Sequence, residues 1–254
     1  MATGLLVIGV GPATRLLRFA QGQDKVYTGT VQFGIATDSL DADGAVIATQ
    51  AVPALTTEAV ASAAATLTGP LMQIPPMVSA LKVGGKRLHE LAREGVEVER
   101  APRSIVINSF TLTPTADNAV WDFEVGCSVG TYVRVLLADL AVALGTVGHL
   151  TALRRERSGT HTAAEALSLD ELAQRADAGD DVVQPPRAFV EHLPTYEATE
   201  ENLLRLRRGQ RLAFDLPGAT GDIAVVDRRG HLAGIVHPRE DGFQPDLVLP
   251  EVLA

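Results

Sequence analysis

The sequence lacks several features that would assign a protein class at once. It contains a single cysteine, Cys127, so an internal disulfide and a metal site built from several thiolates are both excluded. No apolar run approaches the roughly 18 residues that a membrane-spanning helix requires. The opening stretch also has no basic segment ahead of its apolar residues, which a signal peptide would have. These absences favour a cytoplasmic protein with no membrane-spanning segment.

Basic residues are also in short supply. The chain has 22 Lys and Arg residues against 31 Asp and Glu residues, and the net charge of −9 argues at first against a nucleic-acid partner. However, much of the acidic excess is concentrated in residues 163–181, and other stretches are locally basic. The basic clusters are Lys82, Lys86, Arg87 and Arg93, then Arg154, Arg155 and Arg157, and finally Arg205, Arg207, Arg208 and Arg211. Because phosphate binding depends on the local potential, the total charge leaves the partner undecided.

Hydrophobic patterning predicts a mixed α/β protein. Runs typical of strands lie at Leu5–Val10, Lys25–Gly34, Ser104–Thr113, Ala119–Cys127 and Leu150–Arg157, and helical patterns lie near residues 57–67, 86–94 and 131–144. The stretch QPPR that ends at Arg187 indicates a domain boundary, so we expect domains at 1–187 and 188–254. Beyond it, short strand-like runs alternate with turn residues, which predicts a small β-barrel or sandwich.

Two stretches suggest ligand-binding loops, but both fail on their details. The GVG at residues 9–11 lacks the third glycine of a dinucleotide-binding loop and is followed by a proline. The acidic run DSLDADG at residues 38–44 does not have the spacing of a calcium loop. We therefore predict a tight strand-to-helix turn at the first stretch and a solvated turn at the second.

Two single residues are candidates for chemistry. Arg134 opens an apolar helix just after a glycine turn, where a guanidinium either clamps a nearby carboxylate or binds a functional anion. Tyr27 lies on an otherwise apolar strand face, so it is either a core tyrosine with a hydrogen-bonded hydroxyl or a functional group. The histidines lack the spacing of zinc ligands, and no Ser-His-Asp order or nucleophile-elbow pattern is present.

Four stretches together carry a family resemblance. They are DKVYTGTVQFGIATDSLDADG, QIPPMVSALKVGGKRLHELAREG, CSVGTYVRVLLADL and GHLTALRRERSG, in this order. Over residues 1 to about 187 the chain resembles the bacterial tRNA pseudouridine-55 synthases, the TruB family. The tail resembles the small PUA-like β domain that follows the catalytic domain in that family. The resemblance implies a mainly antiparallel sheet with flanking helices, and then an RNA-binding PUA-like domain at 188–254.

The resemblance also implies a reaction and roles for individual residues. Tyr27 would stack on the target uracil and act as general base in a late proton removal, and Arg134 would fix the catalytic aspartate. The wall of the active cleft would include Lys82 together with Gln73, Pro75 and Pro76. The substrate-binding residues would be Lys25, Lys82, Lys86, Arg87, Arg154 and Arg155. The enzyme would convert a T-loop uridine of tRNA to pseudouridine, as a monomer that binds the T-arm and needs no cofactor or metal.

One feature of the family is missing from the sequence. The nucleophilic aspartate of the family lies in a G-x-L-D-P motif, and the residues after that proline resemble MATGLL at residues 1–6. We therefore expect the 254-residue polypeptide to be inactive alone. Either an internal methionine was taken as the start, or the chain is a non-catalytic tRNA-binding or RNA-folding homologue on the same scaffold. In the second case Arg134 would be left without its carboxylate, an unpaired charge that is costly if buried.

Overall fold

The computed structural model describes residues 2–250 and divides the chain into two compact units. The first unit joins the residues up to Leu5 with Gln23–Ala164, and the second joins Leu6–Gly22 with the residues from Glu165 onward. A segment near the start of the chain thus belongs to the second unit. The domain boundary predicted at residue 187 stays a prediction. Which part carries which activity stays a prediction.

Strands alternate with short helices along the chain. The strands are β1 (Ala2–Gly4), β2 (Lys25–Phe33), β3 (Ile35–Thr37), β4 (Val46–Thr49), β5 (Gly69–Gln73), β6 (Lys82–Val83), β7 (Lys86–Arg87), β8 (Arg103–Pro114), β9 (Val120–Cys127), β10 (Gly148–Ser158), β11 (His161–Thr162), β12 (Thr195–Glu197), β13 (Ile223–Val226), β14 (Leu232–Arg239) and β15 (Gly242–Val248). The helices are α1 (Leu17–Gln21), α2 (Thr57–Thr66), α3 (Leu88–Arg93), α4 (Val133–Ala143), α5 (Leu169–Asp177) and α6 (Glu200–Arg207), with 3₁₀ helices at Gly11–Leu16 and Pro186–Val190.

The main sheet of the first unit has seven strands within the described residues, and β3-β4 and β6-β7 form two small two-stranded sheets. The order of the main sheet is β1-β10-β2-β9-β8-β5, with β11 beside β10. The pair of β1 and β10 is parallel and the other neighbours are antiparallel. Alternate side chains such as Val31, Phe123 and Leu150 are buried on one face, where α4 packs on β10 and α2 packs on β8. The predicted mixed, mainly antiparallel sheet with flanking helices is confirmed.

The first strand ends earlier than the sequence predicts. A Cβ at Gly4 would lie 2.3 Å from the carbonyl oxygen of Arg155, and φ at Gly4 is +88°, so the backbone turns away from β10 there. Beyond this point Leu6 and Val10 are exposed, and the buried strand expected at Leu5–Val10 is wrong. Of the residues that carry the family resemblance at the start of the chain, Met1 lies outside the described residues.

The second unit is built on a single four-stranded sheet in the order β12-β13-β14-β15. Ala13 and Leu16 from the early segment are buried against Val190, Ala224 and Leu247. The small β domain predicted at the end of the chain is therefore present as one sheet, and the expected barrel or sandwich is corrected. The run at 211–216 forms no strand, since it pairs with β15 through only one isolated bridge.

Two features that would change the functional class are absent from the described part of the chain. No helix within residues 2–250 is long and apolar enough to cross a membrane. Within the same residues, no three side chains of His, Cys, Asp or Glu are grouped so that they could hold a metal ion. Cys127 is buried at the end of β9, and burial raises the pKa of its thiol.

Candidate active site

A partly buried ion pair lies at the start of α4. Nη1 of Arg134 lies 2.9 Å from Oδ2 of Asp41, and only 17% of the arginine side chain and 13% of the aspartate side chain are exposed. The same Nη1 donates to the carbonyl oxygen of Ser39 at 3.3 Å, and Nη2 donates to the carbonyl oxygen of Val78. The guanidinium therefore connects two loops that are far apart in the sequence.

The loop that carries Asp41 is shaped to present its carboxylate. Oδ1 of Asp41 accepts hydrogen bonds from the Ser39 hydroxyl at 2.5 Å and from the backbone N–H of Asp43 at 3.3 Å. Leu40 has a φ of +65°, a left-handed conformation that is uncommon for a residue with a branched side chain. Its carbonyl oxygen accepts a hydrogen bond from the backbone N–H of Leu150, which ties the loop to β10. Strain of this kind persists where the surroundings enforce it, which is frequent at functional sites.

A buried glutamine fixes the residue that precedes α4. Oε1 of Gln73 accepts from the backbone N–H of Tyr132 at 2.8 Å, and its Nε2 donates to the carbonyl oxygen of Tyr132 at 3.2 Å. Tyr132 is the N-cap residue of the helix, so these bonds fix where α4 starts. Arg134 lies in the first turn of this helix. A cation in the first turn opposes the helix dipole by about 0.3–1 kcal/mol. The pairing with Asp41 offsets this cost. A cation in the first turn departs from the usual charge preference of helices, and such departures are expected at functional positions.

These contacts correct two expectations from the sequence. Arg134 was expected to lack a carboxylate partner if the chain has no nucleophile, yet it is paired with Asp41. The acidic run at 38–44 was predicted to be a solvated turn, yet the Asp41 side chain is mostly buried. Sequence reasoning missed Asp41 and Ser39 because it tested the run only for calcium spacing. The signal that could have found them is a glycine-containing turn with three acids in a chain that also has an isolated arginine among apolar helical residues.

Tyr27 lies in a second group of residues on the core face of the sheet. It is half-buried on β2, and its direct cross-strand partners are Arg155 on β10 and Val125 on β9. Burial raises the pKa of Tyr27 from its ordinary value, and the charge of Arg155 opposes that rise. Burial also lowers the pKa of Lys25, which shares this face, and Arg155 lowers it further.

The other predicted substrate-binding residues are in two places. Lys82, Lys86 and Arg87 lie on the short hairpin of β6 and β7, where all three are exposed and Lys86 pairs with Glu94 at 3.2 Å. Arg154 lies on the opposite face of the sheet from Arg155. The hairpin thus gathers three of the predicted cations, while the two neighbouring arginines of β10 are separated.

The chain is similar to one family model and to many curated proteins of one name. Residues 1–133 match the model described as TruB family pseudouridylate synthase (N terminal domain). A protein named tRNA pseudouridine synthase B from Arthrobacter sp. (strain FB24) is 39% identical over 232 residues, which covers 89% of this chain and 74% of that one. A protein of the same name from Hydrogenovibrio crunogenus (strain DSM 25203 / XCL-2) is 43% identical over 216 residues, covering 85% and 70%.

Solved structures share the fold at lower identity. A chain in the crystal structure of a Cbf5-Nop10-Gar1 complex matches with a TM-score of 0.73 and 19% identity, over 99% of this chain and 74% of that chain. A chain in the structure of an H/ACA RNP bound to a substrate RNA containing 2'-deoxyuridine matches with a TM-score of 0.65 and 16% identity, over 95% and 71%. At these identities the likeness concerns the fold alone.

Proposed function

Because this chain belongs to the TruB family of pseudouridylate synthases, we propose that it isomerises the T-loop uridine of tRNA to pseudouridine. The single observation that supports this most is the partly buried Arg134–Asp41 pair, which keeps a guanidinium in a fixed orientation at the start of α4. A guanidinium has five N–H donors, so Arg134 can hold Asp41 and still receive a second carboxylate, that of the nucleophile.

The proposed reaction balances without any cofactor or metal. The bond from C1′ to N1 of the uracil breaks, the ring turns, and a bond from C1′ to C5 forms. The hydrogen on C5 then leaves as a proton, while N1 gains a proton. Tyr27 stacks on the ring; its hydroxyl first gives its own proton to water, and the resulting phenolate oxygen accepts the C5 proton as general base, while N1 takes its proton from water. Since burial raises the pKa of Tyr27, its phenolate is a strong base once it has formed.

We propose that the nucleophilic aspartate is not among the 254 residues. No Leu-Asp-Pro sequence occurs in them, and Asp41 is already committed to Arg134 and to the Ser39 hydroxyl. In this arrangement Asp41 holds the guanidinium and the nucleophile is oriented by it.

For RNA binding we propose the exposed hairpin cations Lys82, Lys86 and Arg87, with tRNA bound through its T-arm. The target base must leave its stack, which costs a few kcal/mol, and stacking on Tyr27 returns about 1–3 kcal/mol. Each phosphate that a cation neutralises adds about 0.9 to the magnitude of the slope of log affinity against log salt concentration. A monomeric state and a cytoplasmic location stay predictions.

The test compares two polypeptides on a T-arm stem-loop RNA. One is the 254-residue chain, and the other carries ahead of residue 1 a segment that ends in Gly-x-Leu-Asp-Pro. We expect pseudouridine only from the second polypeptide. The matched control has asparagine in place of the aspartate in that added segment, and it should bind the RNA without turnover.

The outcomes separate the candidate functions. Turnover by the 254-residue chain alone would reject an external nucleophile. Tight RNA binding with no turnover by the extended chain would reject the synthase and favour the non-catalytic RNA-binding homologue.

A further inference from the structure

A β-bulge in β10 decides which arginine faces Tyr27. Thr151 is an extra residue in the register of β10 with β2, because Leu150 and the residue after Thr151 are opposite successive residues of β2. An extra residue moves every later side chain of the strand to the other face. Without it Arg154 would lie opposite Tyr27, and with it Arg155 does.

The bulge fits because the neighbouring strand has a glycine beside it. A Cβ at Gly29 would lie 2.0 Å from the carbonyl oxygen of Ala152 and 2.9 Å from the ring of Phe123. Any other residue would force β2 and β10 apart at this point. The extra residue of β10 and the glycine of β2 therefore together fix the face of the sheet on which Arg155 lies.

Arg155 connects Tyr27 with the end of β1. Its Nε donates to the carbonyl oxygen of Leu5 at 2.7 Å, and the backbone N–H of Leu5 donates to the carbonyl oxygen of Arg155 at 2.8 Å. Arg155 is also the direct cross-strand partner of Tyr27 in the pairing of β10 with β2. Arg154 differs, because its Nε pairs with Glu156 at 2.9 Å and half of its side chain is exposed.

We infer that Arg155 is a positioning residue for the Tyr27 hydroxyl, holding it in one place relative to the end of β1, and that it does not contact RNA phosphate. The inference rests on the proposed role of Tyr27 as base, and it replaces the substrate-binding role that the sequence suggested for Arg155. An arginine can do this well because its planar fork donates in two directions at once.

The groups around Tyr27 give the expected direction of the effect. The charges of Arg155 on β10 and Cys127 on β9 bear on both Tyr27 and Lys25, and Asp24, just before β2, also bears on Lys25. Arg155 lowers the pKa of Tyr27 by its charge. Removing the guanidinium therefore makes the phenol a weaker acid, which a purely structural role for Arg155 would not do.

The experiment follows the ionisation of Tyr27 without RNA. The chain has three tyrosines, so the variant Tyr132→Phe/Tyr196→Phe leaves Tyr27 as the sole site for incorporated 3-fluorotyrosine, whose fluorine resonance reports ionisation. In this background we expect Arg155→Gln to raise the titration midpoint by about one pH unit, and Arg155→Lys by less. The matched control Arg154→Gln should leave the midpoint unchanged.

A second measurement tests the RNA role directly in the full chain. If Arg155 contacts no phosphate, Arg155→Gln leaves the salt dependence of T-arm binding unchanged, whereas loss of a phosphate contact reduces the slope by about 0.9. An unchanged midpoint in Arg155→Gln, or a slope reduced by about one, overturns the inference. If the glutamine variant does not fold, Arg155→Met removes the same charge, and an unchanged midpoint in that variant overturns the inference. Because the titration needs no turnover, its outcome is independent of the proposed reaction.

Discussion

Arg134 and Arg211 each pair with an aspartate, but in different units and in different surroundings. Arg134 and Asp41 are both largely buried, and Arg134 also donates to the carbonyl oxygens of Ser39 and Val78. Arg211 and Asp241 are 51% and 67% exposed in their side chains. Exposed pairs contribute about 0–1 kcal/mol, whereas removing one partner of a buried pair costs about 3–5 kcal/mol.

The comparison shows that clustering of arginines in the sequence is a poor guide to which arginine has a chemical role. Arg211 belongs to a dense run of arginines that attracts attention, and Arg134 stands alone among apolar residues. A high density of charged residues determines the electrostatic potential at a surface. Burial beside a partner instead restricts the orientation of a side chain. The isolated arginine is therefore the better candidate for a chemical role.

The largest expected effect comes from breaking the buried pair. We expect Asp41→Asn to lower the free energy of unfolding of the first unit by about 2–3 kcal/mol, because it leaves the Arg134 charge partly buried without a counter-charge. Fluorescence of Trp121 reports this unfolding, since it is the only tryptophan and is buried in the core of the first unit.

A double-mutant cycle sharpens the measurement. Arg134→Met together with Asp41→Asn should cost less than the sum of the two single variants, because no unpaired charge remains. Additive effects would show that the pair is not coupled and would remove the main support for an oriented guanidinium.

The next effect concerns the glutamine before α4. Gln73→Leu removes both bonds to Tyr132. The Tyr132 carbonyl oxygen keeps its helical bonds from Val135 and Leu136, but its backbone N–H loses its partner, so we expect a loss of about 2 kcal/mol in stability. Gln32→Leu is a matched control, since Gln32 makes one bond to the adjacent carbonyl of Phe33, and it should cost less than about 1 kcal/mol. Equal losses, measured by Trp121 fluorescence, would contradict a special role for Gln73.

The sequence predicted the sheet better than the site. The hydrophobic pattern of the sequence located β2, β8, β9 and α4 within two residues of their bounds. It could do so because the periodicity of a strand or a helix is a local signal. The partners of Arg134 come from residues 39–41 and 78, so only the folded chain brings them together. The orientation of Arg155 depends on a bulge of one residue, which periodicity cannot locate. Family resemblance supplied Tyr27 and Arg134, and the roles of both stay predictions.

The smallest expected effect is at the exposed pair of the second unit. We expect Asp241→Asn to change stability by less than about 0.5 kcal/mol, because both Arg211 and Asp241 remain hydrated without each other. Tyr196 is stacked on Phe214 with ring centroids 3.6 Å apart, so its near-ultraviolet circular dichroism reports the packing of this unit. Raising the salt concentration should remove even this small difference, since it screens exposed charges, while leaving most of the effect of Asp41→Asn. A loss at Asp241 as large as that at Asp41 would mean that burial does not distinguish the two pairs.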